Sequence, residues 1–249
     1  MRDLKNYQAA YNSMPFERYQ VTYRRKKIIE ILEQYRPKRI LEVGCGHDSL
    51  FNYYKNFDFF AVIEPSDTFY LKAKSEASSF SNIRVLHGLV EDHSQLLNSL
   101  NFDFIIVSSL LHEIDDTKIL LDSIKTISLQ NTIIHFNVPN AKSFHRYLAL
   151  EMGLIENLFE KSEMQKTMQQ AHTFDIENLT NILKDHNFTI IDSGSYFIKP
   201  FTHSQMQNII DLDLLPKNFL DGLYAMTSYM PDFGSEIFVN VKKIAKQLK

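Results

Sequence analysis

The chain has 249 residues, 44% of them hydrophobic, and its 30 acidic and 27 basic residues leave a formal charge of −3 at pH 7. This length and apolar content can form one large core, so we expect a single domain over residues 1–249. The chain lacks the broad positive field that binding to a phosphate backbone requires, which argues against nucleic acid as a partner. Nothing in the sequence indicates an oligomeric state.

Three features predict a cytoplasmic protein without a membrane span. The start of the chain, MRDLKNYQAAYNS, contains no apolar segment of the kind that directs export. The most apolar run, residues 104–111, includes two serines and is too short to cross a bilayer. Cys45 is the only cysteine, so no internal disulfide can form, as is common in a reducing compartment.

Residues 1–36 are predicted to form a helical cap. Ile28, Ile31, Leu32 and Tyr35 recur at helical spacing, and Pro37 ends the helix before the first strand. Four consecutive basic residues, 24–27, lie on this helix. We interpret them as a solvated helix face, with attraction of an anionic substrate as the alternative.

Apolar runs of strand length alternate with helix-like segments from residue 38 to residue 136, which predicts a parallel sheet with crossover helices. The predicted strands are 39–43, 59–63, 83–86, 104–108 and 132–136. A helix that Asp115 or Asp116 could begin precedes the fifth strand. One face of this helix is expected to carry Ile119, Leu120, Ile124 and Ile127.

The alternation is interrupted after Pro139 by a Met-rich, mostly helical stretch, and we interpret residues 140–173 as an inserted lid. The pattern resumes in the C-terminal half, residues 174–249, with a helix from Asp175 and a strand at 188–192. The inner face of that helix is expected to carry Leu179, Ile182, Leu183 and His186. Two further helices, 203–214 and 217–229, precede a last strand at 236–241.

The segment RILEVGCGHDSL, residues 39–50, joins the first strand to a glycine-rich turn and, we predict, to a helix. Backbone N–H groups and a helix N-terminus at this place bind ligands in open α/β sheets. Gly44 permits the tight turn, and Gly46 lets a ligand approach the backbone. Glu42 precedes the turn, and Glu64 ends the second strand, where an acid can hold ribose hydroxyls.

An NAD-binding domain, and hence a dehydrogenase, is the main alternative, because it also combines a glycine-rich turn with a distant acid. Its GxGxxG pattern would require glycine where Ser49 stands. Its first strand also lies near the terminus instead of following a helical cap. Both features favour a different nucleotide-type cofactor.

The motifs LEVGCG, IEP, HGLVED and FDFIIVSSLLHEI resemble successive motifs of class I S-adenosylmethionine-dependent methyltransferases over residues 25–195. This resemblance implies an α/β fold with a Rossmann-like, seven-stranded, mostly parallel sheet whose last strand, after Gly234, is antiparallel. Residues 37–139 would then form the cofactor-binding half. The implied cofactor is S-adenosylmethionine, and the product derived from it is S-adenosylhomocysteine.

By the same resemblance, Glu42 and the turn surround the methionine end of the cofactor, and Glu64 holds its ribose. The residues implied as cofactor contacts are Glu42, Gly44, Cys45, Gly46, Glu64, Pro65, Gly88, Leu89, Val90, Glu91 and Ser108. Two positions depart from the family pattern. Asp48 replaces the third glycine of the turn, and we expect it to cap the following helix. Leu89 replaces an acid, which leaves Glu91 as the candidate partner of the adenine amino group.

Methyl transfer requires in-line positioning of the acceptor and, for a hydroxyl, removal of its proton, for which histidine is the first candidate. His112, His145 and His172 belong to loops expected at the carboxyl edge of the sheet. We predict His145 as the base, with the other two as alternatives and a structural role open for each. No metal is predicted, because the acidic residues 115–116 near His112 suit a helix start.

A narrower resemblance concerns the acceptor. The segments VPNAKSFHRYLALEMGLIE, AHTFDIENL and SGSYFIKPF are similar to parts of bacterial methyltransferases of surface-polysaccharide and modified-sugar pathways. This resemblance implies Asn140, Ser143, His145 and Arg146 as acceptor contacts. Arg146 could hold a phosphate or carboxylate, or it could pair with a lid glutamate.

The expected function is therefore O-methylation of a small polar acceptor in capsule or surface-glycan biosynthesis. The acceptor would be a sugar, or a nucleotide-linked or phosphate-bearing precursor. One alternative is an N-methyltransferase of a small metabolite. The other is a catalytically silent methyltransferase-like domain that serves a partner protein through its Met- and Phe-rich C-terminal helices.

Overall fold

The computed structural model describes residues 14–213 and 215–244. The predictions for residues 1–13 of the helical cap and for residue 214 at the end of a helix therefore lie outside the described residues. Within them, no helix is both long enough and apolar enough to cross a membrane.

A seven-stranded sheet in the order β3-β2-β1-β4-β5-β7-β6 forms the centre of the molecule. Strand β7 is antiparallel to both neighbours, β5 and β6, whereas β1 to β5 pair in parallel. The predicted Rossmann-like sheet with an antiparallel last strand is thus confirmed. The strands are β1 (Arg39–Val43), β2 (Phe59–Glu64), β3 (Ile83–His87), β4 (Phe104–Ser108), β5 (Ile133–Pro139), β6 (Phe188–Tyr196) and β7 (Glu236–Lys243).

Helices cover both faces of this sheet. They are α1 (Glu17–Tyr35), α2 (Asp67–Ala77), α3 (Ser94–Ser99), α4 (Thr117–Ile127), α5 (Phe144–Glu151), α6 (Glu163–Thr167), α7 (Ile176–Asp185), α8 (His203–Asp211) and α9 (Phe219–Ala225). Asp116, not Asp115, caps α4, because its side chain accepts the Lys118 N–H. Asp175 caps α7 as expected, through a capping box with Asn178.

The alternation of side chains along each strand divides the core into two layers. Leu41 belongs to the layer that also contains residues of α4 and α7, whereas Ile40 belongs to the layer that contains Ile28 and Leu32 of α1. The expected apolar face of α4 needs one correction. Ile119 is 51% exposed, because it is rotated by about 100° from the buried Leu120.

The lid segment, residues 140–173, is less helical than expected. Only α5 and α6 are helices, and the residues between them form turns and irregular backbone. Helix α6 begins with a capping box between Ser162 and Gln165. The two ends of the segment are joined, since Ala141 donates its N–H to the Phe174 carbonyl at 2.7 Å.

Candidate functional site

A cavity of about 500 Å³ lies between the carboxyl edge of the sheet, α1 and the lid segment. This volume falls within the range of about 300–1,000 Å³ that is typical of small-molecule sites. The cavity brings together residues from most of the chain. The sequence-predicted site residues that line it are Glu42, Gly44, Cys45, Gly46, Glu64, Pro65, Ser108, His112, Asn140, His145, Arg146 and His172.

The turn after β1 offers its backbone to this cavity. Gly44 has a φ of 74° and Gly46 a φ of 55°, both in the left-handed region that favours glycine. A Cβ atom on Gly46 would meet nothing within 4 Å, so the space beside this residue is open. Open space against a glycine backbone is what close approach of a cofactor requires, and the residues present are therefore compatible with the implied one.

Glu64, at the end of β2, holds this turn in place. One of its carboxylate oxygens accepts the backbone N–H groups of Cys45 at 2.9 Å and of Gly46 at 3.2 Å. The other accepts the Ser66 N–H at 2.9 Å. A carboxylate has about four acceptor positions, so Glu64 retains capacity for a ligand hydroxyl. Burial raises the pKa of this carboxyl group, and the three N–H donors oppose that shift.

Glu42 is buried beneath the same turn. Its carboxylate accepts the Leu50 N–H at 3.2 Å and the Ser49 hydroxyl. Burial raises the pKa of Glu42 to about 8, although both hydrogen bonds act against the shift. The predicted helix after the turn is absent: residues Leu50–Asn52 form a single 3-10 turn. The Glu42 carboxylate caps the first N–H of this turn, which has no partner within the turn.

Asp48 does not cap a helix, in contrast to the expectation. Its carboxylate accepts hydrogen bonds from the side chains of Asn52, at 3.0 Å, and Tyr53. It also forms an ion pair with Arg25 at 3.2 Å, and the Arg25 guanidinium lies 3.5 Å from the centre of the Tyr53 ring. Asp48 therefore connects the glycine-rich turn to α1.

Residues 88–91, predicted to bracket adenine, are not among the residues that line the cavity. Gly88 has a φ of 133°, and a Cβ atom there would lie 2.8 Å from His93 Nε2. Val90 is buried in the core, where its apolar side chain packs, whereas Leu89 is 42% exposed. The roles proposed for these residues and for Glu91 remain predictions.

The predicted acceptor contacts are engaged in the fold. The Asn140 side chain donates to the carbonyls of Asp232 and Gly234, which ties the end of β5 to the segment before β7. Ser143 is fully buried and does not line the cavity. The Arg146 guanidinium donates to backbone carbonyls at 158 and 160, so it holds the lid backbone instead of a glutamate side chain.

His145 lies at the start of α5 and faces the cavity. Its Nδ1 is 3.1 Å from the Ser143 hydroxyl. Burial, and secondarily the nearby Lys199, lowers the pKa of His145 well below its usual value, so the ring is neutral at pH 7. With the proton on Nδ1, which Ser143 can accept, Nε2 carries a lone pair that can take a proton from a ligand.

The other two candidate histidines lie where the lid meets the sheet. The His112 carbonyl accepts the N–H groups of Ala171 and His172, and the His112 ring is 3% exposed. His172 Nε2 lies 3.3 Å from the Asp115 carbonyl. Both residues line the cavity, and their backbone bonds hold the end of the lid against the loop after β4.

A group of charged residues that the sequence analysis did not identify lies at the β5 and β7 end of the cavity. We call it the charged cluster: Glu17, Arg24, Lys199 and Glu236. Arg24 Nε donates to Glu236 Oε2 at 2.9 Å, and Arg24 is 3.5 Å from Glu17. The Arg24 side chain is only 13% exposed, so the interpretation of residues 24–27 as a solvated face is wrong at this position.

Burial and mutual charge shift the pKa values in the charged cluster. Burial would raise the pKa of Glu236, but Arg24 outweighs this effect and leaves the pKa below its usual value. Burial raises the pKa of Glu17, against the opposing effect of Arg24. Burial lowers the pKa of Lys199 to about 7, although both carboxylates oppose the shift.

The sequence indicates only part of the charged cluster. Glu17, Gln20 and Arg24 are spaced as neighbours on one helical face. This spacing alone cannot distinguish a solvated face from a buried one. The decisive partner, Glu236, is 212 residues from Arg24 in the chain.

Comparisons with known proteins agree with this geometry. Residues 16–193 match the sequence profile of a family described as a methyltransferase domain. The sequence matches no curated protein. Among solved structures, the N-methyltransferase NodS from Bradyrhizobium japonicum WM9, in complex with S-adenosylhomocysteine, is similar with a TM-score of 0.55 and 13% identity. The similarity covers 94% of this chain and 90% of that chain.

Two further structures show the same fold. Phosphoethanolamine N-methyltransferase 2 from Haemonchus contortus, in complex with S-adenosylmethionine, has a TM-score of 0.58 and 14% identity, over 88% of this chain and 53% of that chain. The carbon methyltransferase CurJ has a TM-score of 0.52 and 14% identity, over 88% of this chain and 52% of that chain.

Proposed function

Because the chain belongs to the S-adenosylmethionine-dependent methyltransferases, we propose that it methylates a hydroxyl group of a small polar acceptor. The observation that carries this proposal is the state of His145. A neutral imidazole, oriented through Nδ1 by Ser143, lines the same cavity as the glycine-rich turn.

When bound, S-adenosylmethionine supplies an electrophilic methyl group on its sulfonium. The turn at residues 44–46 and the carboxylate of Glu64 would hold and orient it. His145 Nε2 would accept the proton of the acceptor hydroxyl and would then release it to solvent. The lid segment lines the cavity around His145 and would limit the access of water to it.

The acceptor class that we propose is a sugar, or a nucleotide-linked or phosphate-bearing precursor, in the biosynthesis of a bacterial capsule or surface glycan. The similarity of three segments to methyltransferases of such pathways supports this class. Arg146 gives no support to a phosphate contact, because its guanidinium is occupied by carbonyls of the lid.

N-methylation is the second candidate, and one observation favours it. Glu17 lines the cavity and has one close ionic partner among the described residues, Arg24 at 3.5 Å, so its carboxylate could also accept a hydrogen bond from an amine. Two of the similar structures are also N-methyltransferases by name.

The experiment that tests the proposal has two steps. Isothermal titration with S-adenosylmethionine should give stoichiometric binding to the folded protein; absence of binding would leave the silent domain as the function. Incubation with activated sugars and phosphorylated capsule precursors should then release S-adenosylhomocysteine and add one methyl group to the acceptor. Fragment masses that place the methyl group on nitrogen would replace the proposal with the second candidate.

A further inference from the structure

The charged cluster contains a lysine whose ammonium group has no hydrogen-bond partner within the described residues. Lys199 is 5% exposed and lines the cavity. Its ammonium group makes no hydrogen bond or ion pair with residues 14–213 or 215–244, and the carboxylates of Glu17 and Glu236 act on it only from a longer distance. An ammonium group that opens to the cavity and has no partner within the described fold has its N–H donors available to a ligand.

Two further side chains of this region also have an atom without a hydrogen-bond partner in the described part of the chain. The side-chain carbonyl oxygen of Gln20 is buried and has no hydrogen-bond partner, although its amide donates to Ser235 and Glu236. Nδ1 of His203 is likewise buried without a partner. The same small region thus offers a hydrogen-bond donor on Lys199 and an acceptor on Gln20, which together match a group that both accepts and donates.

The charges in this region are balanced. Arg24 and Lys199 are two cations, and Glu17 and Glu236 are two carboxylates, so the formal sum is zero. Transfer of a proton from Lys199 to Glu17 would not change this sum. A phosphate or carboxylate would face both anions, and an amine would face both cations. An uncharged group gains the open hydrogen bonds without that repulsion.

We propose that Glu17, Gln20, Lys199 and His203 form a binding site for an uncharged, polyhydroxylated part of the acceptor, such as a sugar ring. The site adjoins the predicted base, because Lys199 and His203 are close enough to His145 to affect its ionisation. The inference rests on the proposed function in one respect, that the bound molecule is the methyl acceptor. Binding to the site can be measured without catalysis.

The probes are neutral hexoses, their 6-phosphates, the matching hexuronates and free amino acids, added to protein saturated with S-adenosylhomocysteine. Saturation-transfer NMR should show binding of at least one neutral hexose, and its charged counterparts should bind no more tightly. Tighter binding of a phosphate, a uronate or an amino acid would overturn the uncharged class, and so would the absence of binding by every neutral hexose.

Substitutions at Lys199 separate a hydrogen bond from a charge effect. Lys199→Met removes the donor at similar size and should weaken binding of the neutral sugar about tenfold or more, whereas Lys199→Gln retains a donor and should weaken it less. Lys118→Met, at an exposed lysine on α4, is the matched control and should have no effect. Equal losses in both Lys199 variants, or no loss in either, would contradict the proposed site.

Titration of the same variants with S-adenosylmethionine distinguishes the two proposals. Retained cofactor binding by Lys199→Met shows that the protein is folded and that a loss of sugar binding is local. Failure of the wild-type protein to bind cofactor would contradict the proposed function. Normal cofactor binding with an unchanged sugar affinity in Lys199→Met would contradict only the inference about the sugar site.

Discussion

The two ends of the cavity are built by different means, and we name them for the donor and acceptor roles that we propose. At the donor end, residues 42–46 and Glu64, one carboxylate organises backbone N–H groups of a turn that directly follows a strand. At the acceptor end, side chains meet from α1, the lid, the segment after β6, α8 and β7. They are the charged cluster together with Gln20, His145 and His203. The backbone end is short in sequence, whereas the side-chain end spans residues 17–236. The donor end therefore depends on local backbone geometry, whereas the acceptor end depends on contacts between distant parts of the chain.

The largest expected effect concerns the base at the acceptor end. His145→Ala should lower the rate of S-adenosylhomocysteine release by about 10²–10⁴-fold, because the acceptor hydroxyl then keeps its proton. Cofactor affinity should change little, since His145 is not part of the donor end. The measurement is the initial rate with a saturating acceptor. His172→Ala is the control, and a larger loss in that variant than in His145→Ala would transfer the role of base to His172.

The ion pair of Arg24 and Glu236 tests whether the acceptor end contributes to stability. Arg24→Met leaves Glu236 buried without its cation, which should lower the free energy of unfolding by about 3–5 kcal/mol in urea titrations. Lys26→Met on the same helix is the control. Its partner, Asp221, is exposed, so the loss should stay below about 1 kcal/mol.

The double variant Arg24→Met with Glu236→Met sharpens this result. Removing both charges avoids the unpaired carboxylate, so the double variant should be more stable than Arg24→Met alone. A double variant that is less stable than Arg24→Met would show that Glu236 stabilises the fold through its other partners, Gln20, Asn137 and Tyr196.

Most of the sheet could be predicted from the sequence, because buried parallel strands are continuous apolar runs. Strands β1 and β4 lie where they were predicted, and β5 starts one residue late and extends to Pro139. The donor end could be predicted for a related reason. Glu42, Gly44 and Gly46 lie within five residues, so their joint role depends only on local backbone geometry.

The acceptor end could not be predicted to the same extent. Arg24 belongs to a basic run that also suits a solvated helix face, and only contact with Glu236 in β7 makes it a buried ion pair. Lys199 follows an edge strand, and its burial depends on the packing of α1 and the lid. The sequence also did not predict that the segment after β1 forms only a short 3-10 turn, whose first N–H binds the buried carboxylate of Glu42.

Glu64→Gln tests the donor end at nearly constant volume. The new amide group would direct an N–H toward backbone donors at Cys45 and Gly46 or at Ser66. We expect a loss of about 1–3 kcal/mol in the free energy of unfolding and a weaker affinity for S-adenosylmethionine by about tenfold. Chemical denaturation and isothermal titration measure these two effects. Glu177→Gln, at an exposed position on α7, is the control, and equal cofactor affinity in both variants would remove Glu64 from the donor end.

The smallest effect that we expect is a pH dependence due to Glu42. Its pKa rises from 4.5 in a solvated chain to about 8 in the folded protein. Between these values the unfolded chain loses a proton that the folded protein retains, so the contribution of Glu42 to stability falls as the pH rises and levels off above about 8. The ideal slope is about 1.4 kcal/mol per pH unit, but relaxation of the turn should reduce the total to about 1 kcal/mol.

Glu42→Gln removes this titration while its carbonyl can still accept the Leu50 N–H. The free energy of unfolding of the variant minus that of the wild type should therefore increase between pH 5 and pH 8, and then stay constant. Glu33→Gln, at an exposed position on α1, should show no such increase. A difference for Glu42→Gln that is independent of pH would mean that the turn admits water to this carboxylate, and the donor end would then be less enclosed than the acceptor end.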